Sequence, residues 1–163
     1  MDKNTDDQLI KDCLSSAKTI AMIGVSFKKK EDVSNIVRRP SIIVMNYLQE
    51  FGYKVIPVNP FSAGKKINGE TVLEKLEDSK EQVDIVNVFR PSKEAIIYAK
   101  QAVKIKTKVL WLQYGIENEE AKNIVETKNI MYVGNRCIKQ EYQRLFLKMN
   151  PVFPALKTHW RNF

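Results

Sequence analysis

Two regions of this chain carry residue types that can do chemistry. The first is Gly24-Val25-Ser26, followed by Lys28-Lys29-Lys30 and then Arg38-Arg39-Pro40-Ser41. A glycine turn can expose backbone N–H groups, and the Ser26 hydroxyl can donate a hydrogen bond. A helix entered at Pro40-Ser41 offers unsatisfied N–H groups and the positive end of its dipole. Lysine and arginine can add charge-assisted bonds to phosphate oxygens. Together these make anion-binding chemistry, although a plain turn glycine beside a solvated lysine run would look the same in sequence. The second region surrounds Cys137, flanked by Arg136 and Lys139. Nearby cations can depress a thiol pKa and make it reactive toward another thiol or a disulfide. A small residue packed where a helix begins is the preferred reading of Cys137.

Other chemistries are poorly supplied. The only histidine, His159, lies in an irregular C-terminal stretch, and Ser26 has no candidate base near it in sequence. A catalytic triad is not indicated and no catalytic residue is assigned. With one histidine, and with Cys13 and Cys137 far apart, no metal site is expected either. The same cysteine usage points to a reducing compartment, the cytoplasm, since the acidic, polar N-terminus does not read as a secretory signal. No apolar run approaches the roughly 20 residues of a membrane helix. The net charge of +8 favours anionic partners. Nucleic acid is disfavoured, because neither a helix-turn-helix pattern nor interleaved basic and aromatic residues on a strand is present.

The elements that must hold these residues alternate along the chain. Thr5 to Ala17 reads as a helix, opened by a Thr5/Gln8 capping box and carrying Leu9, Ile10, Cys13, Leu14 and Ala17 on one face. Thr19 to Val25 is a short apolar strand. A polar stretch, 27–39, precedes a helix opened by Pro40 and stopped by Gly52. Tyr53 to Val58 is the second strand, and Thr71 to Asp78 is expected to be a short helix with Val72, Leu73 and Leu76 inward. Val83 to Phe89, Lys108 to Gln113 and Ile130 to Val133 are further strands. Helices follow them from Ser92, from an Asn118 cap and from Lys139.

Such alternation specifies an α/β fold: a Rossmann-like three-layer sandwich, a mainly parallel five-stranded sheet with helices on both faces. The chain divides into one domain, 1–147, and a C-terminal tail, 148–163. Right-handed crossovers gather the strand-to-helix loops on one edge, where ligands bind in open sheets of this kind. The candidate loops are Gly24 to Pro40, Asn59 to Gly64, Arg90 to Ser92 and Gln113 to Gly115. A nicotinamide site is disfavoured. The first loop lacks the three-glycine fingerprint, and Asn59-Pro60 stands where an acid would hold the ribose. The P-loop pattern is also absent.

Several segments occur in an order that resembles the stand-alone CoA-binding domain family, itself related to the nucleotide-binding domain of the succinyl-CoA synthetase alpha subunit. They are Ile23-Gly24-Val25-Ser26, Arg39-Pro40-Ser41, the run Gly52 to Pro60 (GYKVIPVNP), the run Val83 to Arg90 (VDIVNVFR), Val109 to Ile116 (VLWLQYGI) and Asn135-Arg136-Cys137-Ile138. The resemblance spans roughly residues 17–147. It implies coenzyme A, or an acyl-CoA, as a small-molecule nucleotide ligand. Carried over, Gly24, Val25, Ser26 and Ser41, at the helix start with Pro40, would face the diphosphate. Val58, Asn59 and Pro60, with Phe89 and Arg90, would contact the adenosine half. The residue types suit this, since Phe89 offers an apolar face to a purine and Arg90 suits a phosphate oxygen or a stacked base. The insert at 27–39 looks longer and more basic than the family pattern; its cations would serve the 3′-phosphate or sit in solvent. The resulting expectation is a CoA-binding protein without an evident catalytic centre. A thiol or acyl-transfer enzyme using Cys137, and a nucleotide-sensing regulator, are the alternatives. Phe153, Trp160 and Phe163 leave docking on the domain and a homodimer both open.

Overall fold

The computed structural model describes residues 3–26 and 40–149. Helix α1 (Lys3–Ser16) starts two residues before Thr5, so Thr5 lies in its first turn rather than at its cap. Strand β1 (Thr19–Ile23) is buried along its whole length. Helix α2 (Pro40–Glu50) ends in a reversal in which Gly52, at φ +94°, takes the left-handed conformation. Strand β2 (Lys54–Val58) follows. A short antiparallel pair, β3 (Lys66–Ile67) and β4 (Glu70–Thr71), and a 3-10 turn at Leu76–Asp78 then lead to β5 (Ile85–Val88). The remaining elements are α3 (Ala95–Ile105), β6 (Val109–Leu112), α4 (Glu119–Glu126), β7 (Met131–Val133) and α5 (Ile138–Phe146). Asn118 caps α4 as expected, its Oδ1 accepting from the Ala121 amide at 2.9 Å.

The main sheet has the order β2-β1-β5-β6-β7, with every neighbouring pair parallel. Strands buried on both faces need apolar side chains on both, and these have them. One face packs Ile20, Met22, Val55, Ile85 and Trp111 against α1, α2 and α5. The other packs Ala21, Ile23, Val86, Val88 and Leu110 against α3 and α4. The small residues Ala95, Ala99 and Ala102, at helical spacing, let α3 lie close to the sheet. The fold is therefore the expected Rossmann-like three-layer α/β sandwich.

One expected element is absent: Thr71 to Asp78 is not a helix. Asn68 and Gly69 both have positive φ, +49° and +82°, and turn the chain between β3 and β4. The chain then runs extended along the free edge of β2, where the Leu73 amide donates to the Pro57 carbonyl at 2.9 Å. Val72 enters the core on one face of the sheet and Leu76 the core on the other. Their spacing imitates a helix, but their burial is that of an edge covering on both sides, which also shields backbone groups of β2.

Candidate functional site

In this strand order the chain winds outward from β1 to β2, then crosses back past β1 to β5. The winding reverses between β1 and β5, which makes their carboxyl ends the place for a ligand crevice. Gly24 closes β1 there with φ +89°. Its amide donates to the Val58 carbonyl at 2.9 Å, and the Phe89 amide donates to the Ile23 carbonyl at 2.9 Å. The ends of β2, β1 and β5 are thus stitched together around one glycine. A Cβ at this position would stand 2.7 Å from the Phe89 carbonyl oxygen and 2.9 Å from Arg90 Cδ. Both the backbone angle and the close approach therefore demand glycine.

Asn59 ties the second loop to the first. Its Nδ2 donates to the Val25 carbonyl at 2.9 Å, and its Oδ1 accepts from the Phe61 amide at 3.0 Å, capping the turn at Pro60–Ser62. Both ends of the side chain are thereby committed. Val25 and Val58 are buried, Ser26 is half-buried and Pro60 is exposed. Pro40 and the buried Ser41 open α2, the helix that connects the parallel strands β1 and β2. The Gly24 amide is spent on the Val58 carbonyl and so does not itself face an anion.

Arg90 lies against Gly24 and is already engaged. Its Nε and a terminal nitrogen donate to the two Glu94 oxygens at 2.7 and 3.0 Å. This hydrogen bonding raises the Arg90 pKa further, and the guanidinium in turn holds the Glu94 carboxyl below its usual range. The pair fixes two of five N–H donors and aims the guanidinium plane. Phe89 is 6% exposed and belongs to the core beneath the crevice, so in this structure its ring is a packing surface while its backbone lines the edge. The basic insert, with Lys28, Lys29, Lys30, Arg38 and Arg39, lies outside the described residues, as do His159 and the tail aromatics Phe153, Trp160 and Phe163.

Cys137 ends the loop that precedes α5 and is fully packed. Burial pushes its thiol up to about 11, outweighing the opposing amides of Lys139 and Gln140 and the Lys139 charge. The depressed pKa that flanking cations suggested is not found, and the packing reading fits. Cys13 is likewise pushed up to about 12, mainly by burial.

Sequence reasoning singled out neither Glu94 nor Asn87, and it reached Gln113 only as the start of a candidate loop. Asn87 in β5 and Gln113 at the end of β6 are both fully buried, and Gln113 Nε2 donates to Asn87 Oδ1 at 2.6 Å. Among the described residues, Asn87 Nδ2 and Gln113 Oε1 have no hydrogen-bond partner. A buried unpaired amide atom costs about 1–3 kcal/mol, so the arrangement needs a reason. A signal was present: a lone asparagine inside the apolar run Ile85-Val86-Asn87-Val88.

A family model described as CoA binding domain matches residues 18–143. YneT of Bacillus subtilis (strain 168) is 31% identical over 137 residues, covering 84% of this chain and 94% of that protein. Among solved structures, cell-free ID.343 from Thermus thermophilus is 37% identical, with a TM-score of 0.76, over 86% of this chain and 98% of its own. A hypothetical protein from Pyrococcus horikoshii OT3 is 34% identical with the same TM-score of 0.76, over 85% of this chain and 91% of its own.

Proposed function

This chain belongs to the CoA-binding domain family, and from that premise we propose that it binds coenzyme A or an acyl-CoA at the carboxyl ends of β1, β2 and β5. The diphosphate rests on the amides of Val25 and Ser26 and on the start of α2 at Pro40-Ser41. The adenosine half lies toward Val58, Asn59 and Pro60, with Arg90 reaching a phosphate oxygen.

The observation that carries this reading is the Gly24 turn, which ends β1 with φ +89° at the reversal of the sheet and draws the ends of β2 and β5 against it. Asn59 argues for the same ligand class over a nicotinamide dinucleotide. It supplies no carboxylate for a ribose, and its amide is occupied in bracing the two loops. The role proposed is binding or sensing; Cys137, the thiol the sequence singles out, is buried, and burial pushes its pKa up to about 11. Two unpaired thiols suit a reducing, cytoplasmic setting.

Parallel calorimetric titrations with CoA, acetyl-CoA, NAD and ATP test the proposal. CoA or its acetyl ester is expected to bind tightest. Tighter binding of NAD would end it.

A further inference from the structure

We propose that Asn87 and Gln113 recognise the uncharged pantetheine arm of the ligand, an inference that rests on the CoA reading above. Asn87 sits in β5 between Met22 of β1 and Trp111 of β6, and Gln113 follows β6 directly with its amide donating to the Val88 carbonyl. The pair therefore lies at the carboxyl edge, on the opposite side of β1 from β2. If adenosine occupies the β2 side and the diphosphate the Gly24 turn, the remainder of the ligand extends toward β6.

The chemistry of the pair selects that remainder. One hydrogen bond joins the two side chains, leaving an NH2 group on one and a carbonyl oxygen on the other unpartnered among the described residues. Turning both amides over leaves the same complement, one donor and one acceptor, so the argument does not depend on which atom is nitrogen. An ionised phosphate only accepts and would leave the oxygen unmet, besides bringing charge into a dry site. The pantetheine arm carries two secondary amides and a hydroxyl, neutral groups that both donate and accept. A purely structural role accounts poorly for the pair. Valine and leucine fill the neighbouring strand positions, and an apolar pair here would leave nothing unsatisfied. Both orphan atoms are closed to solvent, so entry of the arm opens the edge around Gln113.

The test compares CoA with adenosine 3′,5′-bisphosphate, which lacks the arm. The double variant Asn87→Leu/Gln113→Met removes both polar groups at nearly constant volume, which keeps the core filled. CoA affinity is expected to fall about tenfold or more, while the bisphosphate stays within about twofold. Unchanged CoA affinity, or equal weakening of both ligands, would overturn the inference. The unmodified protein gives a second readout that needs no variant. Side-chain amide NMR signals of Asn87 and Gln113 should move with CoA and stay in place with the bisphosphate; no CoA-specific movement is the contrary result. If the unmodified protein binds neither ligand, the reading of function itself fails, and that outcome is distinct from an arm that binds elsewhere.

Discussion

Gly24 offers the sharpest test of how this edge is built, because two separable costs meet there. An alanine at φ +89° enters the region L-residues avoid, at about 1–2 kcal/mol. Its Cβ would also stand 2.7 Å from the Phe89 carbonyl oxygen, so the ends of β1 and β5 must part by several tenths of an ångström. Forced repacking of that kind costs about 1–3 kcal/mol. Gly52 supplies the control: its φ is +94°, yet nothing lies within 4 Å of a Cβ there, so Gly52→Ala bears the backbone cost alone. In a chain of this length 1 kcal/mol shifts Tm by about 2–4 °C. Gly24→Ala is therefore expected to lower Tm by roughly 4–20 °C and Gly52→Ala by roughly 2–8 °C, the difference measuring the close approach. Ligand then separates the two variants again. CoA at about a hundred times its Kd adds about 2.7 kcal/mol to the stability of a protein that binds it. In thermal melts the CoA-induced rise should survive in Gly52→Ala and disappear in Gly24→Ala. Equal Tm losses, with the CoA response retained in both, would refute the argument that this turn is shaped by close approach and used by the ligand.

Other outcomes follow from neighbouring groups. Arg90→Ala should weaken CoA about tenfold or more in calorimetry, the range for losing a hydrogen bond to a charged group; an unchanged affinity would confine Arg90 to its pairing with Glu94. Cys137→Ser should leave CoA affinity unaltered. In the native unmodified protein both thiols should react slowly with a thiol reagent at pH 8 and rapidly in denaturant, because burial raises both pKa values. Asp84 gives a pH dependence. Burial would raise its carboxyl, but the amides of Lys18 and Thr19, donating at 2.8 and 3.0 Å, and the Lys108 charge outweigh burial and leave its pKa lowered. A depressed carboxyl stabilises the fold above its unfolded pKa, about 3.9, and loses that contribution as pH falls through the lower folded value. Asp84→Asn should therefore cost about 1–2 kcal/mol in denaturant melts at pH 7, the gap to the unmodified protein narrowing below about pH 4. A constant gap across that range would contradict the assignment.

The legible parts of this fold are those where one local rule had no competitor. Ile85 and Trp111 on one face, and Val86, Val88, Leu110 and Leu112 on the other, are apolar because both sheet faces are covered, and such largely apolar runs mark central strands. Pro40 and Gly52 bracket α2 for reasons of backbone chemistry that act within a few residues. The segment from Thr71 to Asp78 failed because Val72, Leu73 and Leu76 obey helical spacing while being divided between two faces of a sheet, a fact that exists only once β2 has an edge to cover. The Asn68-Gly69 pair was the better guide, since two consecutive positive φ values fit a tight turn and no helix.

The candidate site shows the same division. Glycine at 24 and asparagine at 59 were visible as residues, but their work is done across the chain. Gly24 accommodates Arg90, and Asn59 holds the carbonyl of Val25. Phe89 was read by type as a surface for a purine, whereas strand alternation sends its ring into the core. Alternation also puts Asn87 on the same face as Ile85 and Phe89, where a polar side chain is costly unless something answers it. Gln113 answers only half of it. Two apolar residues would leave nothing unsatisfied here, which is why the pair is assigned to what the proposed ligand brings rather than to packing.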